Sequence, residues 1–563
     1  MSSELLDAAG AWLAQDPDPV TAAQTRELIA AAEAGEPAAL AELSDAFGTR
    51  LSFGTAGLRG ALGAGPNRMN RVLVAQAAAG FARYLRARFD SAALGSTGER
   101  PIVVIGYDGR VNSDVFARDS AEIFAGAGLR AVLLPRALPT PVLAFAVRHL
   151  GAAAGVMVTA SHNPPQDNGY KVYLGGPDGG SQIVAPADAD IAAHIAAVAE
   201  SVTFEQHPRG EVELAAESVV TAYVEATAKL LSAPQVNLNW VYTAMHGVGF
   251  ETFHAVIGRA GFNGPHVVAA QRDPDGAFPT VAFPNPEEPG AMDLAFELAA
   301  AERAELVIAH DPDADRLAVA IPHENGYRRL SGNEVGLLLG WRMAELATRA
   351  ATIPHGTLAC SIVSSPGLKA IADEYGLSFA DTPTGFKWIS RAPDLLFGFE
   401  EALGYLVNPG DVRDKDGISA AAAFLAMAAE LKAAGRTVAD RLDELVERFG
   451  CFASAQISVR VSDLAQIADT MARLRQHPPS ELGGIRVEQL DDLAAGFGEL
   501  PPSDVLRFWL AGGSRVMVRP SGTEPKLKVY IDAAATSGTV AERRAAAEAT
   551  VATLEAALRA IVA

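Results

Sequence analysis

The chain has 563 residues, of which 49% are apolar and 20% charged, with a formal net charge of −21. That length exceeds what one hydrophobic core supports and predicts three or four domains of ordinary globular composition. The acidic balance argues against nucleic acid or an anionic membrane as partner, yet it allows an anionic small molecule, which responds to the local field of a cleft.

Met1-Ser2-Ser3-Glu4 opens with an early acid and no basic stretch, unlike a signal peptide. No uncharged apolar run approaches the roughly 18 residues of a membrane helix. The longest candidate, Ile418 to Ala429, is Ala-rich and reads as a buried helix. Cys360 and Cys451 carry no motif and read as buried apolar filler, which suits a reducing cytosol, so a cytoplasmic setting is expected.

Residues 4 to 47 alternate helical apolar spacing with Pro-Asp and Gly-Glu-Pro breaks, predicting two or three helices. Gly54-Thr55-Ala56-Gly57-Leu58-Arg59-Gly60 is a Gly-rich turn with one cation. No Gly-Lys-Ser/Thr follows, so it is not a Walker A loop. Residues 72 to 89 read as an amphipathic helix, and Ile102 to Gly106 as a buried strand that delivers Asp108 and Arg110 to its end. A helix over 114 to 127 and a strand over 131 to 134 follow. This alternation predicts an α/β fold with a largely parallel sheet.

The apolar run Ala154 to Val158 leads into Thr159-Ala160-Ser161-His162-Asn163-Pro164. That places the Ser161 hydroxyl at the carboxyl lip of a strand, where α/β sheets bind ligands. A turn-capping serine is the plainer alternative. His162 is expected to diverge from Ser161, as neighbours in an extended turn do. Lys171, in Asn168-Gly169-Tyr170-Lys171, reads on its own as a surface cation, and so does Arg59.

A polar stretch over 203 to 215 marks a first boundary, and a second α/β unit starts at Trp240. Its strands Leu306 to Ala309 and Leu317 to Ile321 bracket His310-Asp311-Pro312-Asp313-Ala314-Asp315-Arg316. Alternate aspartates in an extended loop can point to one side and gather hard oxygen donors around a divalent cation, Mg²⁺ if a phosphate completes the shell. The EF-hand pattern fails, with Arg316 at the sixth loop position and Pro322 at the twelfth. A solvated acidic turn is the alternative.

A third unit begins near Ser331, with a strand at Thr357 to Val363. Thr382-Pro383-Thr384-Gly385-Phe386-Lys387 and Phe399-Glu400-Glu401-Ala402-Leu403-Gly404-Tyr405 follow. Glu400 and Glu401 read on their own as surface acids; in a Gly-bounded, apolar-flanked loop they could accept hydrogen bonds from vicinal sugar hydroxyls. After a helix over 436 to 448, residues 455 to 563 give β-like runs and an Ala-rich closing helix, a smaller α+β domain. Within it, Arg519-Pro520-Ser521-Gly522-Thr523-Glu524-Pro525 offers hydroxyls, a backbone N–H and an Arg fork, the donors a terminal phosphate needs; an ordinary Pro/Gly turn between two strands is the alternative.

Taken in order, these motifs resemble the α-D-phosphohexomutase superfamily, the phosphoglucomutases and phosphomannomutases, over nearly the whole chain. Gly54 to Gly60 is similar to its N-terminal Arg loop, and Thr159 to Pro164 with Asn168 to Lys171 to its phosphoserine loop. Asp311 to Arg316 resembles its metal loop, Phe399 to Gly404 its sugar-recognition loop and Arg519 to Pro525 its phosphate loop. The Gly-Phe-Lys-Trp segment, Glu-Glu-Ala-Leu-Gly-Tyr and the N-terminal helices look closest to the phosphoglucomutase-2 branch, which includes phosphopentomutase and glucose-1,6-bisphosphate synthase activities. One departure stands out: Ala402 replaces the serine of the Glu-x-Ser loop found in many members.

The resemblance implies three consecutive α/β/α mixed-sheet domains (1–210, 211–328, 329–450) and a C-terminal α+β domain like the TATA-box-binding protein (451–563), around a central cleft. It implies an intramolecular phosphotransferase that interconverts glucose 1-phosphate and glucose 6-phosphate through phosphoserine at Ser161 and a 1,6-bisphosphate, which also serves as activator. Phosphopentomutase, phosphomannomutase or bisphosphate synthase activity is the alternative within the family. A metal-assisted phosphatase and a non-catalytic sugar-phosphate binder are the alternatives outside it. One Mg²⁺ per chain would be held by Ser161, Asp311, Asp313 and Asp315, with Arg316 and Arg59 supporting the phosphoserine and His162 beside it. Lys171 is the first general-base candidate and Lys415, in Arg413-Asp414-Lys415-Asp416-Gly417, the second. Thr384, Gly385, Lys387, Glu400, Glu401, Arg519, Ser521, Gly522 and Thr523 would bind substrate. A monomer or homodimer is expected, with no nucleic-acid or membrane partner.

Overall fold

The protein is described from a computed structural model that covers residues 2–90, 100–231, 236–350, 355–461, 464–496, 500, 502–520 and 526–562. Ser521, Gly522 and Thr523 lie outside the described residues. The chain forms two compact units, Met1–Arg329 with Asn408–Ala426, and Leu330–Val407 with Met427–Ala563.

Three helices open the first unit, Ser2–Leu13, Pro19–Glu33 and Pro37–Phe47. Pro19 and Pro37 sit in first turns, where a missing N–H costs nothing. Asp18 caps the second helix by accepting the Val20 N–H at 2.9 Å. Ala9, Trp12, Leu43 and Phe47 join one core with the helix Arg71–Asp90 and one face of the first sheet.

That sheet has seven strands. Ile102–Tyr107 lies at its centre, with Arg130–Leu133 and Ala154–Val158 parallel to it on either side. The sheet is mixed because Asp167–Leu174 returns antiparallel to Ala154–Val158. Residues 159–166 are too short a link for a parallel crossover, so the chain can only turn back. Leu58–Ala61 adds to the outer side of Asp167–Leu174, with Arg59 opposite Gly169. Ser161 therefore sits where a parallel strand ends and an antiparallel one begins.

The second sheet obeys the same rule. Leu306–Ala309 runs parallel to Trp240–Thr243, then turns through residues 310–317 into the antiparallel strand Ala318–His323. The aspartates occupy that turn. In the second unit, Thr357–Ser361 lies between Ser378–Thr382 and Leu395–Glu400, parallel to both. The C-terminal sheet has six antiparallel strands ordered Cys451–Arg460, Lys526–Ala535, Arg515–Pro520, Leu506–Leu510, Ile485–Asp492 and Glu481–Leu482. Both cysteines are buried and free. Among the described residues, no single helix is long and apolar enough to cross a membrane.

Candidate active site

Ser161 is 2% exposed and has a φ of 52°, a left-handed backbone that few non-glycine residues adopt. The loop around it enforces that shape. Ser161 N–H donates to Thr159 Oγ1 at 2.8 Å. Beneath the loop, the buried Arg110 guanidinium donates to the carbonyls of Ser161 (2.6 Å), Pro164 (2.9 Å) and Asp167 (3.0 Å), and also to that of Asn163. Its face rests on the Phe278 ring, 4.9 Å from the centroid. Lone residues rarely satisfy several carbonyls at once, and the planar five-donor fork of arginine suits this task. The left-handed turn also brings His162 back, so that its Nδ1 lies 3.3 Å from Ser161 Oγ. The expected divergence of these two side chains does not occur.

Ser161 Oγ donates to Asp311 Oδ2 at 2.9 Å. Asp311, Asp313 and Asp315 are fully buried, and each offers a carboxylate oxygen within 4.8 Å of the others. They are not a solvated acidic turn. Thr140 fixes Asp313 twice, donating its N–H to the Asp313 carbonyl (3.0 Å) and its hydroxyl to Oδ2 (2.6 Å). Asp313 Oδ1 and Asp315 Oδ1 are buried without a hydrogen-bond partner among the described residues. Two orphaned anionic oxygens in a cluster of hard donors fit a divalent cation.

Lys171 is no surface cation. It lies on the strand Asp167–Leu174 and is 6% exposed, with Nζ 2.6 Å from Asp313 Oδ2 and 2.8 Å from Asp315 Oδ2. Lys415 Nζ adds a contact to Asp315 Oδ2 at 3.2 Å. Burial works against both ammonium groups, but the carboxylates outweigh it and hold both lysines above the ordinary lysine range. As placed, both are charged and act as cations. Asp311 is also pushed well up, by burial and by the Asp313 and Asp315 carboxylates. Asp315 is held well below its usual range because Lys171, Lys415 and Arg316 outweigh burial. His162 is held neutral, well below the usual histidine range, by enclosure and by the charges of Arg316 and Arg59.

Arg59 is exposed, and its Nη1 donates to Asn163 Oδ1 at 3.3 Å. Its position depends on Gly57, whose φ is 77° and where a Cβ would lie 1.8 Å from the Tyr170 carbonyl oxygen. Arg316 Nε lies 3.8 Å from both Asp311 Oδ2 and Asp315 Oδ1. Thus Ser161, His162, Lys171, Arg59, Arg316, Lys415 and the three aspartates come together in the first unit. Arg110 was visible at the end of its strand, but nothing local in sequence showed that it would reach a loop some fifty residues on.

In the second unit, Arg519 donates to Thr384 Oγ1, joining the C-terminal sheet to the Thr384-Gly385 turn before Lys387. Glu400 ends the strand Leu395–Glu400 and stays half-buried. Glu401 Oε2 accepts from Ser361 Oγ (3.2 Å) and Ser364 Oγ (3.0 Å), so one of its oxygens is committed to anchoring the loop.

Comparison with known proteins agrees with this geometry. Residues 50–201, 221–326, 331–449 and 456–550 match, in order, α/β/α domains I, II and III and the C-terminal domain described as phosphoglucomutase/phosphomannomutase. A probable phosphomannomutase of Haemophilus influenzae is 54% identical over 467 residues, 83% of this chain and 93% of that protein. A phosphopentomutase of Mus musculus is 35% identical over 588 residues, covering 96% and 92% of the two chains. The fold also matches the crystal structure of a Thermus thermophilus protein described as a putative phosphomannomutase (TM-score 0.69, 24% identity, 91% of this chain and 99% of that one). With all four domains present in sequence, the chain belongs to the phosphoglucomutase/phosphomannomutase family of the α-D-phosphohexomutase superfamily and is a phosphosugar mutase.

Proposed function

We propose that this mutase interconverts glucose 1-phosphate and glucose 6-phosphate through a phosphoryl group carried on Ser161. The observation that carries the reading is the buried Ser161 hydroxyl, bonded to Asp311 and surrounded by three carboxylates and the cations Lys171, Lys415 and Arg316. Phosphoserine adds roughly −1.5 to −2 charge, which three carboxylates would repel without compensation. A divalent cation bound by Asp311, Asp313, Asp315 and Ser161, with Mg²⁺ as the proposed ion, supplies that compensation and polarises the phosphoryl group.

The chain's own residues do the rest. Transfer breaks the bond from phosphorus to Ser161 Oγ and forms one to a sugar hydroxyl, whose proton must leave. The neutral His162 imidazole beside Ser161 accepts it and passes it to the departing Ser161 Oγ, which ends the step as a hydroxyl. The resulting 1,6-bisphosphate returns its other phosphate to Ser161. Arg316, Arg59 and Lys171 keep the anionic group in place, and added bisphosphate restores phosphoserine when it is lost. Arg519, Thr384 and Lys387 hold the phosphate that is not reacting, and Glu400 accepts from sugar hydroxyls.

Ala402 favours a second reading. A loop lacking the serine hydroxyl gives one fewer hydrogen bond to a hexose, which suits a pentose 1-phosphate, the substrate class in the name of the Mus musculus relative. Turnover of glucose, mannose, ribose and deoxyribose 1-phosphates decides between them. Highest kcat/KM on glucose 1-phosphate supports the first reading, and highest on a pentose or on mannose 1-phosphate replaces it. Release of inorganic phosphate without isomerisation would make the chain a phosphatase.

A further inference from the structure

Carboxylates and ammonium groups alternate at the site. Lys171 Nζ lies between Asp313 and Asp315, and Lys415 Nζ lies between Asp315 (3.2 Å) and Asp414 (3.4 Å). Asp414 is not one of the three clustered aspartates. It is fully buried and comes from Asn408–Ala426, the segment that belongs to the first unit although the chain on both sides of it belongs to the second.

Asp414 is bound on every side. Its Oδ2 accepts from Tyr173 Oη (2.7 Å) and Gln182 Nε2 (2.6 Å), and its Oδ1 accepts the Lys415 backbone N–H (2.8 Å). Tyr173 is two residues from Lys171 on one strand, so both point to the same face. One face of that strand grips the aspartate loop through Lys171 and the inserted segment through Tyr173. The segment is pinned again at Gly417, whose carbonyl accepts from His310 Nε2 at 3.0 Å and where a Cβ would lie 2.3 Å from the Arg316 carbonyl oxygen. Lys415 is therefore held against Asp315 by position.

An ammonium on Asp315 competes with any cation for the same carboxylate. Lys415 shares its charge between two carboxylates, and only one of these belongs to the cluster. We propose that Asp414 is a positioning residue of the metal site: by holding Lys415 between itself and Asp315, it limits the positive charge placed on Asp315 and so raises the affinity of Asp311, Asp313 and Asp315 for a divalent cation. This rests on the reading that those three aspartates bind the metal.

The test titrates the full-length protein with Mn²⁺ and measures free Mn²⁺ by electron paramagnetic resonance, independently of activity. Asp414→Asn is expected to weaken Mn²⁺ binding about fivefold. Lys415→Met is expected to bind at least as tightly as wild type, and adding Asp414→Asn to it is expected to change affinity less than about twofold. Tyr173→Phe keeps the carboxylate but frees it to move, and should weaken binding in the same direction by less. Should Asp414→Asn not fold, as thermal melting would show, Tyr173→Phe carries the test. Unchanged Mn²⁺ affinity in the single variants, or an equal loss with and without Lys415, overturns the proposal. Wild-type Mn²⁺ binding that survives Asp313→Asn intact would instead overturn the underlying metal reading.

Discussion

Ser161 carries a strained backbone (φ 52°) and a hydroxyl aimed at Asp311, an arrangement held from below by Arg110. Strain of this kind persists only where the surroundings over-determine it. Ser161→Ala removes the proposed phosphoryl carrier, so turnover is expected to fall about a thousandfold or more while sugar-phosphate binding stays near wild type. Near-normal turnover of the alanine variant with bisphosphate present would refute the role. Arg110→Lys keeps the charge but loses the fork. One ammonium cannot span the carbonyls of residues 161 to 167, and kcat is expected to drop about tenfold in steady-state assays. Asp313→Asn removes the negative charge of a carboxylate whose Oδ1 has no hydrogen-bond partner among the described residues, and metal affinity should fall about tenfold or more by direct titration. The serine and the aspartates were legible because each motif is contiguous. The charge state of Lys171 was not, because it depends on two carboxylates more than 140 residues away, which no local pattern announces.

Elements place these residues. The strand Asp167–Leu174 went unseen in the sequence because Asn168-Gly169 reads as a turn, yet its antiparallel return orients both Lys171 and Tyr173. The apolar run 418 to 429 was legible as a buried helix from composition alone. The docking of the stretch before it was not, because polar residues give no burial signal when their partners are distant. Asp416 there is fully buried, accepting from Tyr223 Oη (2.9 Å) and from the Ser419 N–H (2.9 Å). Burial raises its carboxyl to about 6, with these hydrogen bonds offsetting part of the effect. A raised carboxyl favours the folded state most at low pH, and that contribution is lost as pH rises through about 6. Asp416→Asn keeps an acceptor and cannot ionise. It is expected to stabilise the protein at about pH 8 by on the order of 1–3 kcal/mol and by about half as much at about pH 5. Thermal melts at the two pH values check this, and an equal shift at both would contradict it.

For the whole molecule, the four-domain order was legible because strand and helix signals alternate three times and then give way to β-like runs. The mixed character of the first sheet followed from link length rather than strand composition. The proposed function at this scale needs two kinds of site, a phosphoryl-carrying serine and a phosphate grip. Arg519→Ala is expected to raise KM several-fold, since a charge-assisted hydrogen bond contributes roughly 1.5–3 kcal/mol and is made in the ground state too. It should also release bisphosphate into solution, and a normal KM without released bisphosphate would place the grip elsewhere. The most direct measurement of the central claim follows the phosphoryl group itself. The protein is incubated with glucose 1,6-bisphosphate labelled in its phosphates, mapped by peptide mass spectrometry, and chased with unlabelled glucose 1-phosphate. The account predicts label on Ser161 alone, passing into glucose bisphosphate and glucose 6-phosphate at least as fast as steady-state turnover. An active protein with Ser161 unlabelled, or label leaving only as inorganic phosphate, would contradict it.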